Sequence, residues 1–516
     1  MKMKKLPIGI SALDKIIGND YIYVDKTKHI VNLVKSGGEY YFLSRPRRFG
    51  KSLLVDTLKQ AFLGKHELFT GLYLENHWDW EVEYPIVHID LGQGIVQSRV
   101  QLDAVLTAIL DRHYIQYNIE NIYQEASIRF RYLIDSLAEK FNLPVVILVD
   151  EYDKPILDNI TDAEHAGEIR DGLKSLYSVI KTVDSKLRFV LLTGVSKFSK
   201  VSLFSGLNNL SDITLDSRYA DICGYTQAEL ETNFANELVG VDKSELKNWY
   251  NGYNFAGSEV QKVYNPFDIL LFFDKGKIYR NYWFETATPT FLVKLMESRK
   301  YFVPNLENVI ISDKNLSGFD VDNINITTLL FQTGYLTIKE IITIGSQYAY
   351  SLTYPNLEVK ASLNDSLADI GSSMENKTQN LAMLDMKLKQ NDIAGLEQVF
   401  RSYFASIPHD WYRKNDMANY EGFYASIVYS YFCALGYDLI AEYVTNHGKI
   451  DLTLRMPDKI LVIEFKLHTD AVNALQQIKD RAYADKYLSD GKPIYLIGVS
   501  FDTESRNISD FAYEVL

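Results

Sequence analysis

Cysteine is nearly absent from this chain: 516 residues contain two, Cys223 and Cys433, too few and too far apart for a disulfide framework or a cysteine metal motif. That scarcity points to a reducing compartment, and a cytoplasmic location is expected. The chain also lacks any apolar run of membrane-spanning length, and no apolar segment follows its basic start, Met1-Lys2-Met3-Lys4-Lys5, as a secretory signal would require. No internal repeat or low-complexity tract stands out. Positive charge is in deficit, 54 Lys and Arg against 67 Asp and Glu, so contact with a polyanion must come from local basic patches and not from the whole surface. What the chain does have is a 47% hydrophobic content, enough to bury substantial cores in two to four domains.

Near the C-terminus two alternating runs, 448–455 and 460–467, flank Pro457-Asp458 and predict a β-hairpin. With the turn centred there, Asp451 falls opposite Glu464, Thr453 opposite Val462 and Lys449 opposite Lys466. Ile450, Leu452, Leu454, Leu461, Ile463, Phe465 and Leu467 gather on the other face, so one face is expected to be core and the other to carry two carboxylates and a lysine. Opposed carboxylates with Cβ atoms roughly 5 Å apart repel one another unless a cation lies between them. A divalent metal is the expected ligand of Asp451 and Glu464. Lys466, two residues along the same face, would reach the attacking water or the charge developing beside the metal.

The pattern Asp451 followed by Glu464-Phe465-Lys466 resembles the D…ExK core of the PD-(D/E)xK nuclease superfamily. Glu421, opening a predicted amphipathic helix, is similar to that superfamily's first acidic residue, and Gln477 and Tyr483 resemble the Gln/Tyr helix of its RecB-like branch. The resemblance implies catalytic roles for Asp451, Glu464, Lys466 and Glu421, with Mg²⁺ or Mn²⁺ held by Asp451 and Glu464. It also implies a substrate-orienting role for Gln477 and Tyr483.

A second constellation lies in the first half of the chain. Tyr40-Tyr41-Phe42-Leu43 reads as a buried strand, a loop ends in Gly50-Lys51-Ser52, and a helix follows from Leu53 to Phe62. That context suits a phosphate-binding loop, in which backbone N–H groups around Arg48, Phe49 and Gly50 cradle phosphates, Lys51 reaches the β- and γ-phosphates and Ser52 holds Mg²⁺. The loop departs from G-x-x-x-x-G-K-S because Arg45 stands where the first glycine belongs. The turn out of the strand must then be made by a residue bearing Cβ, stiffened by Pro46. Leu143 to Asp150 is an apolar strand ending in Asp150-Glu151, the form of a Walker B element in which Asp150 binds Mg²⁺ and Glu151 polarises water. Another buried strand, Leu187 to Ser196, is expected to set Thr193 near the γ-phosphate, and Tyr84 to Asp90 supplies an extra strand between loop and Walker B. That chain order is expected of ATPases whose Walker A and B strands are separated by another strand.

Leu6-Pro7-Ile8-Gly9-Ile10, Tyr23-Val24-Asp25-Lys26-Thr27, the loop from Arg45 to Ser52, Asp150-Glu151-Tyr152-Asp153-Lys154-Pro155, Thr193 to Ser199 and Trp249-Tyr250-Asn251-Gly252-Tyr253 resemble the predicted AAA-ATPase-like family of bacteria. Members of that family pair such an ATPase with a C-terminal PD-(D/E)xK domain, and the resemblance covers nearly the whole chain. Arg45 belongs to the family's own pattern.

The expected architecture is α/β. Residues 1–230 form a P-loop NTPase parallel sheet; 231–395 form a helical lid and a winged-helix-like connector built from a helix at Asn325 to Gln332 and a hairpin; 396–516 form a restriction-endonuclease-like α/β domain. The expected function is ATP binding and hydrolysis controlling a metal-dependent nuclease that cleaves phosphodiester bonds, most simply in DNA. The alternative is a nucleotide-dependent switch whose nuclease-like domain only docks nucleic acid or a protein partner. Self-association stays open, with Arg45, Arg47, Arg48 and Arg188 as arginine-finger candidates.

Overall fold

The computed structural model describes residues 4–198, 203, 209–257, 261–284, 303–316, 318–319, 324–368, 374–405, 421–445 and 448–516. The chain divides into two compact units, one of 1–287 with 310–356, the other of 288–309 with 357–516.

In the first unit, β1 (Tyr40–Ser44), β2 (Ile86–Asp90), β3 (Val145–Asp150), β4 (Leu187–Gly194) and the short β5 (Ser211–Asp212) form a sheet of order β2-β3-β4-β1-β5. Its neighbours pair in parallel. Every residue of β1 and β3 is buried, as their unbroken apolar sequences require of strands covered on both faces. β4 lies between β1 and β3, so the Walker A and Walker B strands are separated in space by β4, whereas the strand that separates them in the chain, β2, takes the sheet's edge. That edge is capped by side chains. Ile86 N donates to the Tyr117 hydroxyl (2.9 Å), which donates back to Ile86 O (3.0 Å), and His113 Nε2 lies 3.2 Å from His88 N and 2.9 Å from His88 O.

Two short helices, Lys243–Tyr250 and Pro266–Asp274, pack their apolar faces into an aromatic cluster that includes Phe234, Tyr250, Tyr264, Phe272 and Tyr282. Helix Ile326–Thr333, capped by Asn325 on Thr328 N at 3.0 Å, leads into the expected hairpin. That hairpin joins β7 (Thr337–Ile344) to β8 (Gln347–Thr353) through a turn at Gly345, whose φ is +62°, and β6 (Val309–Ser312) pairs beside β8. Gln332 Oε1 accepts from Lys197 N at 2.8 Å, tying this helix to the segment leaving β4.

The second unit holds a five-stranded mixed sheet of order β13-β12-β11-β10-β9, formed by β9 (Asp438–Thr445), β10 (Gly448–Arg455), β11 (Ile460–Leu467), β12 (Ile494–Asp502) and β13 (Asn507–Val515). Only β11 and β12 run parallel, joined through helix Ala471–Asp480. The predicted hairpin register holds: Leu452 pairs with Ile463, Thr453 with Val462 and Leu454 with Leu461. The face expected to carry Glu464 and Lys466 is also largely buried, so both faces of β11 are covered. Phe465 meets Phe501, which packs on Phe404 and Tyr424, while Ile460 and Val462 on the other face join Leu475, Ile478, Tyr483 and Tyr487.

Helix Glu421–Ala434 begins where expected, yet it is not amphipathic: Tyr424, Val428, Tyr429, Tyr431, Phe432 and Cys433 are buried around its circumference, as suits a helix inside a core. The polar stretch from Leu357, read from sequence as part of a connector, belongs to this unit. Its first helix, Leu357–Ala368, packs on Glu421–Ala434, and its polar side chains Glu358, Ser362 and Asn364 are buried. Among the described residues no helix is long and apolar enough to cross a membrane.

Candidate functional site

The loop between β1 and helix Lys51–Phe62 takes its shape from an arginine and a lysine. Arg45 is fully buried: its guanidinium donates to Ser44 O (2.9 Å), Thr214 O (2.8 Å) and Tyr219 O (3.0 Å) and lies 4.0 Å over the Phe255 ring. Burial pulls its pKa down to about 10. The left-handed residues that turn the loop are Arg48 (φ +66°) and Gly50 (φ +93°), not Arg45, so the missing glycine is no obstacle to the turn. Arg45 is thereby excluded as an arginine finger. Arg47 and Arg48 are exposed, Arg48 4.8 Å from the Phe267 ring, and Arg188 lies 5.8 Å from that of Tyr84.

Lys51 Nζ donates to the carbonyls of Arg45 and Pro46, both at 2.9 Å, curling the loop around its ammonium. Burial pushes its pKa down, opposed by the charge of Asp150. Gly50 caps the helix, and a Cβ there would meet nothing within 4 Å. The loop, Lys51 and Ser52 border a cleft of about 480 Å³, with Gly92, Glu151 and Lys154 on its other wall. Pro7, Gly9, Ile10 and Ser11, with Pro266, Phe267 and Leu270, also line the cleft. Its volume falls within the range usual for small-molecule sites, about 300–1,000 Å³.

Asp150 ends β3, buried, and accepts from Thr193 Oγ1 at 2.5 Å and from Glu151 N at 3.0 Å. Thr193 meets Asp150 from the end of β4 and does not line the cleft, while Phe49 lines it with a ring buried edge-on against Tyr253 and Phe255. Glu151 has φ +53°, a strained backbone at a site residue, and burial followed by the charge of Asp150 lifts its carboxyl pKa. Gly92 lies close to both carboxylates: a Cβ there would come within 2.9 Å of Asp90 Oδ1 and of Glu151 Oε2, so an added side chain would displace one of them.

Asp153 has no evident role in the sequence. It is fully buried and receives Val195 N (3.1 Å), Ser196 N (2.5 Å) and Ser196 Oγ (2.6 Å), locking the Walker B turn to the end of β4. Its place three residues beyond Asp150 was the available signal. Lys154 in the cleft donates to Gly94 O (2.6 Å) and Asp158 (2.7 Å).

In the second unit Glu464 is 2% exposed, and its Oε1 accepts from Lys466 Nζ at 3.1 Å and from Gln477 Nε2. Gln477 reaches it because Glu464 pairs with Gly498 on β12, where a Cβ would lie 2.2 Å from Ala471 O. The missing side chain lets helix Ala471–Asp480 sit directly on the sheet. The hairpin register continued by one residue sets Asp451 opposite Glu464, although the side chains of Asp451 and Glu421 lie outside the described residues. The Tyr483 ring is buried in the apolar cluster under the same helix. Carboxylate oxygens at these strand positions are hard donors of the kind that suit Mg²⁺ or Mn²⁺, and Ser52 with Asp150 offers the same chemistry in the first unit.

A model of a predicted AAA-ATPase family matches residues 7–204, and one of the PD-(D/E)XK nuclease superfamily matches residues 419–511. A protein of Azotobacter chroococcum mcd 1, described as an uncharacterized protein in the vnfD 5′ region, is 50% identical over 523 aligned residues that cover all of both chains. The chain belongs to the predicted AAA-ATPase family with a C-terminal PD-(D/E)XK nuclease domain. The parallel sheet and glycine-lysine-serine loop of this AAA-ATPase-like protein are those of a nucleotide-binding unit, and its mixed sheet is that of a nuclease-like one.

Proposed function

We propose that the first unit binds and hydrolyses ATP and that its nucleotide state controls a nuclease in the second, with DNA as substrate. In this reading Lys51 leaves its two loop carbonyls for the β- and γ-phosphates, and the backbone N–H groups from Arg48 to Ser52 line the phosphates at the helix N-terminus. Ser52 and Asp150 hold Mg²⁺, which when bound neutralises phosphate charge. Glu151 accepts a proton from the attacking water, and Thr193 orients Asp150.

In the nuclease, Asp451 and Glu464 hold Mg²⁺ or Mn²⁺, which when bound supplies a water of lowered pKa. Lys466 steadies the developing anion, Gln477 fixes Glu464, and Glu421 completes the acidic set.

The observation that carries the reading is the meeting on Glu464 of Lys466 from its own strand and Gln477 from the overlying helix. The test incubates the purified protein with supercoiled, linear and single-stranded DNA and with RNA, with Mg²⁺ or Mn²⁺, and with ATP, ADP or neither. Metal-dependent DNA cleavage that changes with nucleotide and is lost in Glu464→Gln is expected. ATP turnover with DNA binding but no cleavage under any condition would leave the docking switch as the function, and equal cleavage with ATP, ADP and no nucleotide would sink the control.

A further inference from the structure

A second cavity, of about 280 Å³, lies against the edge strand β2 and shares no lining residue with the nucleotide cleft. His88 and Asp90, alternate residues of β2, face it together with Lys59 from helix Lys51–Phe62 and with Arg112 and His113 from helix Arg99–Gln116. Among the described residues neither Lys59 nor Arg112 is ion-paired. The one carboxylate in the lining, Asp90, accepts Gly92 N at 2.8 Å. The cavity is therefore positive even with both imidazoles neutral.

His113 is 9% exposed, and with its Nε2 engaged at the His88 main chain its buried Nδ1 has no hydrogen-bond partner; the buried Nε2 of His88 has none either. The ligand is not a metal. Lys59 and Arg112 would repel one, and no group of three or more His, Cys, Asp or Glu among the described residues could hold one. Burial, with Lys59 adding to it at His88, keeps both imidazoles below their usual pKa, so neither supplies positive charge of its own and the cavity's positive charge is that of Lys59 and Arg112.

We propose that this cavity binds a small metabolite through a phosphate or carboxylate group, gripped by Lys59 and Arg112, and that its occupancy changes the affinity for nucleotide. The route between the two sites is short. Asp90 pairs in register with Asp150 and holds Gly92, which borders the nucleotide cleft close to Glu151. The second clause rests on the ATP reading of that cleft.

The experiment uses the full chain, with inorganic phosphate and citrate as separate calorimetric probes. Because a phosphate loop also binds phosphate, the anion titrations are made in Lys51→Ala. One of the two anions binds there, which one deciding between a phosphate and a carboxylate ligand. Arg112→Glu and Lys59→Glu each weaken it by at least about tenfold, the loss expected for a charge-assisted contact. Arg131→Glu, on an exposed face of helix Ala126–Phe141, does not. In the otherwise native protein the bound anion shifts ATP affinity, and Arg112→Glu removes the shift.

No binding of either anion to Lys51→Ala, or weakening by Arg131→Glu as large as by Arg112→Glu, overturns the site. Anion binding without any change in ATP affinity overturns the coupling. A native protein that binds no ATP at all refutes the cleft reading instead, and the anion titrations still decide the cavity.

Discussion

Asp150 and Glu464 are both buried carboxylates on strands, but one ends its strand and the other lies within it. At Asp150 the chain leaves the sheet, and the cleft beyond it, which Asp150 itself does not line, is bordered by residues of loops and turns: Gly50, Gly92, Glu151 and, from the start of the chain, Pro7, Gly9, Ile10 and Ser11. At Glu464 the neighbours are fixed by the pleat and by a helix lying on Gly498. A loop site can reshape itself around a ligand, whereas a strand site comes with its spacing already set. The first arrangement suits a centre that changes state, the second a centre that is turned on or off from outside.

The comparison is broken most directly at the two carboxylates assigned to chemistry. Glu151→Gln is expected to lower ATP turnover on the order of 10²- to 10⁴-fold, the usual contribution of a positioned base, and Glu464→Gln to lose metal-dependent DNA cleavage with the carboxylate that would hold the ion. Glu151→Gln keeps ATP binding because Lys51 and the loop are untouched, and Lys51→Ala loses it. Equal ATP affinity of Lys51→Ala and wild type, measured by calorimetry, would remove the phosphate-loop assignment.

Glycine sharpens the contrast through stability. At Gly498 an added methyl meets main-chain atoms of Ala471 and Leu475, at 2.2 and 2.9 Å, so Gly498→Ala should cost at least about 1–3 kcal/mol and lift Gln477 away from Glu464. At Gly50 the space is open and only the positive φ is penalised, so Gly50→Ala should cost about 1–2 kcal/mol. Leu452→Asn, on the apolar face of the hairpin, should lose at least the roughly 2–5 kcal/mol of a core leucine truncation. Chemical denaturation of each variant checks the ranking, and a silent Leu452→Asn would mean that Leu452 is not in the core.

These residues also mark what the sequence could and could not disclose. Period-two alternation around Pro457-Asp458 was sufficient to set the β10–β11 register residue by residue, because the pleat leaves no freedom once the turn is placed. The strand, glycine-lysine-serine loop and helix from Tyr40 to Phe62 were legible for a similar reason, their pattern being local to a few consecutive residues. The walls of the cleft were not, since Pro7, Gly9, Ile10, Ser11, Lys154 and Pro266 meet only through the tertiary fold. β9 and β13 were missed, although Asn507–Val515 contains a partly alternating run. Helix Glu421–Ala434 was misread as amphipathic because its polar positions, Ser426 and Ser430, are themselves buried.

Acid sensitivity separates the sites further. Burial and Asp150 raise the Glu151 pKa above its unfolded value, so the carboxyl's contribution to stability is fully present below the unfolded pKa and is lost as pH rises through the raised one. Nucleotide-free Glu151→Gln should therefore melt above wild type at neutral pH, with the advantage shrinking as the solution is acidified. A constant difference across that range would show that the charge of Glu151 is not what strains the turn.

The smallest effect is expected at the other carboxylate pair. Asp451→Asn removes a like charge opposite Glu464, which in metal-free protein should gain about 0.2–1 kcal/mol at most. The gain should fall toward the lower end of that range, because Lys466 and Gln477 already donate to Glu464 and compensate part of the repulsion. With Mn²⁺ the sign reverses: wild type gains the free energy of binding a ligand to the folded state alone, and the variant does not. Hydrogen exchange of the β10 and β11 amides, with chelator and with Mn²⁺, reads this locally and independently of the first unit. Slower exchange of Asp451→Asn in chelator, with no further slowing by Mn²⁺, is the expected pair of results. Equal protection by Mn²⁺ in both proteins would take Asp451 out of the metal site and leave Glu464 to act with some other carboxylate.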